Sequence, residues 1–291
     1  MIHEKLTNQE DMSLIEQSIA TFFLNEPESL QKLSARKISK KIFVAPSTIT
    51  RFCKKIGYSG YNEFKEAYVS EYSYLQSHFK KINPNRPFEM KESPWRIANK
   101  ISQLYTETLS DTLDIQDYEL LEKAVNLLNN SKKIYIYSVG NHINLANHFK
   151  SKMNEIGKTV EVISRFDTAF YNINYASKED VFLLISYSGE TNDIVRLLDG
   201  IKNKEISTLG VTSFGDNTLS QFVDVVLRIS TRERLINNSG NFSSDVSVMY
   251  LLDVLFASIF SKDYENILYR RNKIAKSYQK YRYSANPLIK D

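Results

Sequence analysis

The chain has 291 residues and a formal net charge of +4, and its 42% of hydrophobic residues are enough to fill two ordinary cores. One cysteine, Cys53, excludes an intramolecular disulfide, fits a reducing compartment and reads as a small buried hydrophobe. No basic-then-apolar leader stands at Met1–Lys5, and Asp253 breaks the apolar run from Tyr250 to Phe260, so a cytoplasmic protein with no membrane partner is expected.

In chain order, apolar periodicity predicts short helices over Met12 to Leu24, Glu28 to Leu33, Ala35 to Phe43, Pro46 to Ile56 and Tyr61 to Tyr74, with no strand among them. Charge in this stretch has one sign. Lys32, Arg36, Lys37, Lys40, Lys41, Arg51, Lys54 and Lys55 lie between Glu28 and Glu63 with no acidic residue. Such a block inside apolar-periodic helices points to a polyanion, because each phosphate neutralised releases counterions. Nucleic acid fits better than a membrane surface, since Val44-Ala45-Pro46 interrupts any continuous amphipathic face. Ser34 to Lys55 has the layout of a helix-turn-helix. Ser34 caps the first helix, small Ser39 admits the second, and Ile38, Ile42, Val44, Ile49 and Phe52 form the seam. Pro46 sits in a first turn, where a missing N–H removes no hydrogen bond. The opposite face of the second helix carries Ser47, Thr48, Thr50, Arg51, Lys54 and Lys55, which with Lys37 are the candidate contacts to double-stranded DNA. A helical hairpin with a solvated basic face is the competing reading.

Residues 78–95 carry Pro84, Pro87 and Pro94 among polar residues, a linker composition. The expected division is therefore a domain over 1–77, a linker over 78–95 and a second domain over 96–283 with its core at about 125–260. Beyond the linker, compact apolar runs alternate with helices: Lys133 to Val139, Thr159 to Ile163, Asp180 to Ser186, Ile206 to Thr212 and Val223 to Ile229. Each is too short for a helix and too uniformly apolar for a half-exposed strand, which predicts a five-stranded parallel sheet with helices on both faces. The third run leads directly into Ser186-Tyr187-Ser188-Gly189-Glu190-Thr191, after which Ile194, Leu197, Leu198 and Ile201 mark a helix. A strand, a hydroxyl-rich turn and a helix N-terminus make an anion cradle; the same hydroxyls also suit an ordinary helix cap. His3, His78, His142 and His148 have no spacing that would build a metal site, and no metal or other cofactor is expected. A last apolar helix over Val246 to Phe260 and a basic, aromatic tail helix over Asp263 to Tyr283 complete the chain.

The helix-turn-helix, with Thr48-Ile49-Thr50-Arg51-Phe52 and the Lys54-Lys55-Ile56-Gly57-Tyr58 that follows, resembles the N-terminal domain of RpiR/MurR-type regulators. Ser186, Ser188, Gly189 and Thr191 meet the Ser-x-Ser-Gly-x-Thr signature of the SIS (sugar isomerase) domain, a likeness that extends over roughly 125–260. The resemblance implies an all-α helix-turn-helix bundle followed by a flavodoxin-like α/β domain. It implies a non-enzymatic regulator of sugar or amino-sugar metabolism, a homodimer or higher homo-oligomer whose DNA affinity responds to a phosphosugar effector. Ligand contacts are implied at Gly140, Asn141 and His142 in the first loop and at Ser186, Ser188, Gly189 and Thr191 in the second. The sequence departs from the family at Phe43, where glycine is usual in the turn, and at His142, where serine is usual. Further loops at Thr212 to Asn217 and Asn237 to Asn241 are candidate pocket walls or plain turns. A sugar-phosphate isomerase or lyase of the same fold is the alternative; it needs a base, for which His142 and Glu190 are the candidates.

Overall fold

The computed structural model describes residues 2–7, 9, 11–78, 82–277, 286 and 288. They form two compact units, Met1–Ile82 and Asn83–Asp291. In the first unit lie α1 (Ile2–Thr7), α2 (Leu14–Asn25), α3 (Pro27–Leu30), α4 (Ala35–Lys41), α5 (Pro46–Lys55) and α6 (Tyr61–His78). Local chemistry sets most of these ends. A capping box between Ser13 and Glu16 opens α2, the Ser34 hydroxyl accepts the Lys37 amide to open α4, and prolines start α3 and α5. The helix expected to reach Phe43 stops at Lys41, because Phe43 turns to φ 57° and the Val44 amide bonds back to the Ser39 carbonyl. Helix α1 was not foreseen; Ile2 and Leu6, one turn apart, are buried with Phe23, Phe52, Phe64 and Tyr68.

The second unit runs α7 (Pro94–Asp114), α8 (Tyr118–Asn130), β1 (Ile134–Ser138), α9 (His142–Glu155), β2 (Val160–Ile163), α10 (Phe166–Tyr175), β3 (Val181–Ser186), α11 (Asn192–Asn203), β4 (Ser207–Ser213), α12 (Thr218–Phe222), β5 (Val225–Ile229), α13 (Phe242–Lys262) and α14 (Tyr264–Ser277). All five predicted runs are strands of one parallel sheet in the order β2-β1-β3-β4-β5. Alternation across the pleat explains their uniform hydrophobicity. Ile134, Ile136, Leu183 and Ile185 pack with Ala146, Phe149, Leu251 and Leu255 from α9 and α13. Tyr135, Tyr137, Phe182 and Leu184 pack with Ile173, Ile194 and Leu197 from α10 and α11 on the other face. Helix α13 starts four residues before the predicted Val246 and is, among the described residues, the one helix long and apolar enough to span a bilayer. Its Val248, Leu251, Leu252, Leu255 and Ile259 fill the sheet core. The predicted tail helix is α14 as far as Ser277; residues 278–283 lie outside the described residues.

Residues 83–95 of the expected linker form the start of the second unit, whereas 79–81 lie outside the described residues. Pro84 and Pro87 are buried, and Asn85 hydrogen-bonds to the segment between β5 and α13. Proline composition announces the lack of a helix there. It does not announce the side-chain amide that ties the segment down.

Candidate nucleic-acid interface and anion site

Helices α4 and α5 place the basic residues as the seam requires. Ile38, Ile49 and Phe52 are buried, which turns Ser47, Arg51 and Lys54 to solvent. Lys37 is exposed on α4, while Thr48 and Thr50 are half-buried, Thr50 bonding the Pro46 carbonyl through its hydroxyl at 3.3 Å. Lys55 differs from its neighbours: its ammonium lies 3.0 Å from the Glu16 carboxylate and also donates to the Asp11 carbonyl. No acid lies near it in the sequence, so this ion pair was not legible there. Glu16 is held below the usual carboxylate range by the Ser13 amide and by Lys55. Cys53 is buried against the core, and burial pushes its thiol up to about 12.

The strand order reverses between β1 and β3, and at such a switch point the loops beyond the carboxyl ends of the two strands diverge and leave a crevice. Both loops open helices that no side chain caps, α9 after Gly140-Asn141 and α11 after Thr191. Uncapped first-turn amides, together with the positive end of the helix dipole, favour an anion. Gly140 takes φ 65°, and Asn141 is exposed.

In the second loop the hydroxyls divide the work. Ser186, buried at the end of β3, shares a 2.7 Å bond with the Thr191 hydroxyl and accepts the Gly189 amide at 3.1 Å. Ser186 and Thr191 therefore build the turn, and neither caps α11. Ser188 is half-buried and accepts the Glu190 amide at 3.2 Å. Gly189 adopts φ 68°, and a Cβ there would lie 2.0 Å from the Asn217 amide oxygen. Asn217 bonds Thr212, the Leu219 amide bonds the Gly189 carbonyl, and Thr218 donates twice to the Glu190 carboxylate at 2.8 and 2.7 Å. The 212–217 loop thus braces the cradle from behind.

His142 opens α9 with its imidazole mostly enclosed, Nε2 being 3.3 Å from Oδ1 of Asp245 in the first turn of α13. An anion at His142 has to share the imidazole with that carboxylate. The N-terminus of α13 already holds an anion, because Glu233 accepts the amides of Ser243 and Ser244 at 2.9 Å and the Ser244 hydroxyl at 3.0 Å. Sequence reading named the loop that holds Asn217 as a candidate pocket wall but missed Glu233 and Asp245, whose partners here lie 10 or more positions away in the chain.

Residues 2–74 match the family described as the helix-turn-helix domain of the rpiR family, and residues 127–258 match the SIS domain. The uncharacterized HTH-type transcriptional regulator YbbH of Bacillus subtilis is 26% identical over 251 residues, which is 86% of this chain and 87% of that protein. Among solved structures, the Vibrio vulnificus NanR protein complexed with ManNAc-6P superposes with a TM-score of 0.61 at 20% identity, covering 98% of this chain and 100% of that one. The sugar isomerase domain of an RpiR transcription factor from Sphaerobacter thermophilus gives a TM-score of 0.55 at 19% identity, covering 62% of this chain and 98% of that one.

Proposed function

Because the chain belongs to the RpiR type of regulator, an rpiR-family helix-turn-helix followed by a SIS domain, we propose that α5 reads operator DNA and that a phosphosugar on the Ser186–Thr191 loop alters that affinity. The observation that carries the ligand half is the pair of uncapped helix N-termini, α9 and α11, at the β1/β3 switch point. Ser188, the Gly189 and Thr191 loop, and Gly140-Asn141 hold the phosphate, and His142 forms the rim. The NanR structure, which holds ManNAc-6P, supports a phosphorylated sugar of this class. The protein works in the cytoplasm as a homodimer controlling sugar or amino-sugar genes. Two recognition helices then meet half-sites about 34–36 Å apart, and a ligand that changes the pairing of protomers changes affinity.

Catalysis is the weaker reading. Proton abstraction beside a carbonyl requires a base with an open lone pair. Of the two candidate bases, the Glu190 carboxylate is turned to the Thr218 amide and hydroxyl, and the His142 imidazole lies 3.3 Å from the Asp245 carboxylate. Incubation with hexose 6-phosphates and N-acetylhexosamine 6-phosphates, followed by proton NMR, should show no turnover.

Binding assays test both halves. Arg51→Ala should erase discrimination between operator and random DNA, whereas Lys40→Ala weakens both alike, because base contacts specify and phosphate contacts only position. Ser188→Ala should leave operator binding unchanged without effector but lower phosphosugar affinity at least about tenfold, the cost of a charge-assisted hydrogen bond. Equal binding of operator and random DNA by the unmodified chain rejects the first half; undiminished phosphosugar affinity in Ser188→Ala rejects the serine's role.

A further inference from the structure

Between Ser186 and Ser188 stands a residue whose side chain points out of the cradle. The Tyr187 hydroxyl donates to the Glu233 carbonyl at 2.5 Å, while the Tyr187 carbonyl accepts the Ser213 amide at 3.2 Å. Glu233 belongs to the strap that links β5 to α13, and its carboxylate is fixed on the α13 N-terminus. The strap in turn grips Asn85. Asn85 Oδ1 accepts the Arg234 amide at 2.7 Å, its carbonyl accepts the Ser239 hydroxyl at 2.7 Å, and its Nδ2 donates to the Arg232 carbonyl at 3.5 Å. Phe88 meets Phe242, at the start of α13, edge to face with ring centroids 6.2 Å apart. Asn85 and Phe88 lie in the segment that continues directly from the first unit, which ends at Ile82.

Two side chains therefore connect the ligand loop to the chain leading from the DNA-binding unit, Tyr187 from loop to strap and Asn85 from strap to segment. Hydrogen bonds are short-ranged and directional, so a displacement of about 1 Å on either side weakens one sharply. An anion drawn onto the loop amides moves the residue that lies between two of the loop's serines. We propose that Tyr187 and Asn85 are the positioning residues that carry effector occupancy from the cradle to residues 83–93. This rests on the reading that a phosphosugar occupies the Ser186–Thr191 loop. Both residues act through the strap, and neither is needed to hold the ligand.

Hydrogen–deuterium exchange on the full chain tests this, with glucose 6-phosphate, fructose 6-phosphate, N-acetylglucosamine 6-phosphate and N-acetylmannosamine 6-phosphate as probes. In the unmodified chain, the probe that protects 186–191 should change exchange at 83–93 by about fivefold or more, the scale of ordinary coupling. Tyr187→Phe, which removes only the hydroxyl, and Asn85→Ala should keep the loop protection and lose the change at 83–93. Asn85→Asp keeps the acceptor for the Arg234 amide and should retain the change, a rescue that general loosening of the segment does not produce. An unmodified response at 83–93 in Tyr187→Phe overturns the proposal and leaves the phosphosugar reading intact. Loss of loop protection in Tyr187→Phe also overturns it, by making Tyr187 a ligand contact. If no probe protects 186–191 in the unmodified chain, the phosphosugar reading fails and the proposal fails with it.

Discussion

Phe43 sits at φ 57° and is 95% exposed, a large side chain in a left-handed turn with nothing packed on it. The turn needs that conformation because the Val44 amide must reach the Ser39 carbonyl, and a residue with a Cβ adopts it at a cost of about 1 kcal/mol. Phe43→Gly should therefore stabilise the first unit by about 1 kcal/mol, read as a raised urea midpoint at unchanged slope. Cys53 gives a second test. With its thiol pushed up to about 12 by burial, the neutral form prevails at pH 8. A disulfide reagent such as DTNB should label it only as fast as the unit unfolds; immediate labelling in native buffer contradicts the buried placement.

Among the elements, the strand–turn–helix at β3 and α11 depends on a close approach that only glycine allows. Gly189→Ala adds the strain of a positive φ, about 1 kcal/mol, and forces the new Cβ onto Asn217, where overpacking costs about 1–3 kcal/mol more. Removing the clashing side chain in Gly189→Ala/Asn217→Ala should recover part of the loss, so the double change costs less than the two single changes summed. A double-mutant cycle by urea unfolding measures this, and strict additivity would show that the loop and Asn217 do not touch. In the other unit, the pairing of Lys55 with Glu16 across α5 and α2 changes what the basic face offers. Lys54 has no ion partner among the described residues, whereas Lys55 is already paired at 3.0 Å.

At the scale of the whole molecule, that difference should appear in the salt dependence of DNA binding. Each phosphate contact steepens the dependence of log affinity on log salt by about 0.9. Lys54→Ala should flatten the slope by about that amount per protomer, and Lys55→Ala should flatten it less, because its ammonium already neutralises a carboxylate. Fluorescence anisotropy from low to moderate salt decides the order, and equal slopes for the two variants would place Lys55 on the DNA. Residues 83–93, which follow the first unit in the chain, are hydrogen-bonded through Asn85 to the β5–α13 strap and so belong to the fold of the second unit.

The amino-acid sequence by itself determined the two kinds of fold, the five strands, the seam of the helix-turn-helix and the Ser186–Thr191 turn. These follow from hydrophobic period, from capping and from residues adjacent in the chain, all of which are local quantities. Resemblance to the RpiR/MurR-type regulators marked Phe43 as standing where glycine is usual in the turn, and the folded chain gives it φ 57°. Helix α1 escaped notice because six residues give too short a period to stand out, and its burial depends on Glu71 and the core of the first unit. Tertiary structure alone decided that His142 faces Asp245, that Glu233 fills the α13 N-terminus, that Glu16 holds Lys55 and that Asn85 ties the proline-rich segment down. Those contacts join residues from 10 to 154 positions apart. Charges and hydrogen-bond donors act over a few ångströms in space, and only the packed chain brings such partners that close.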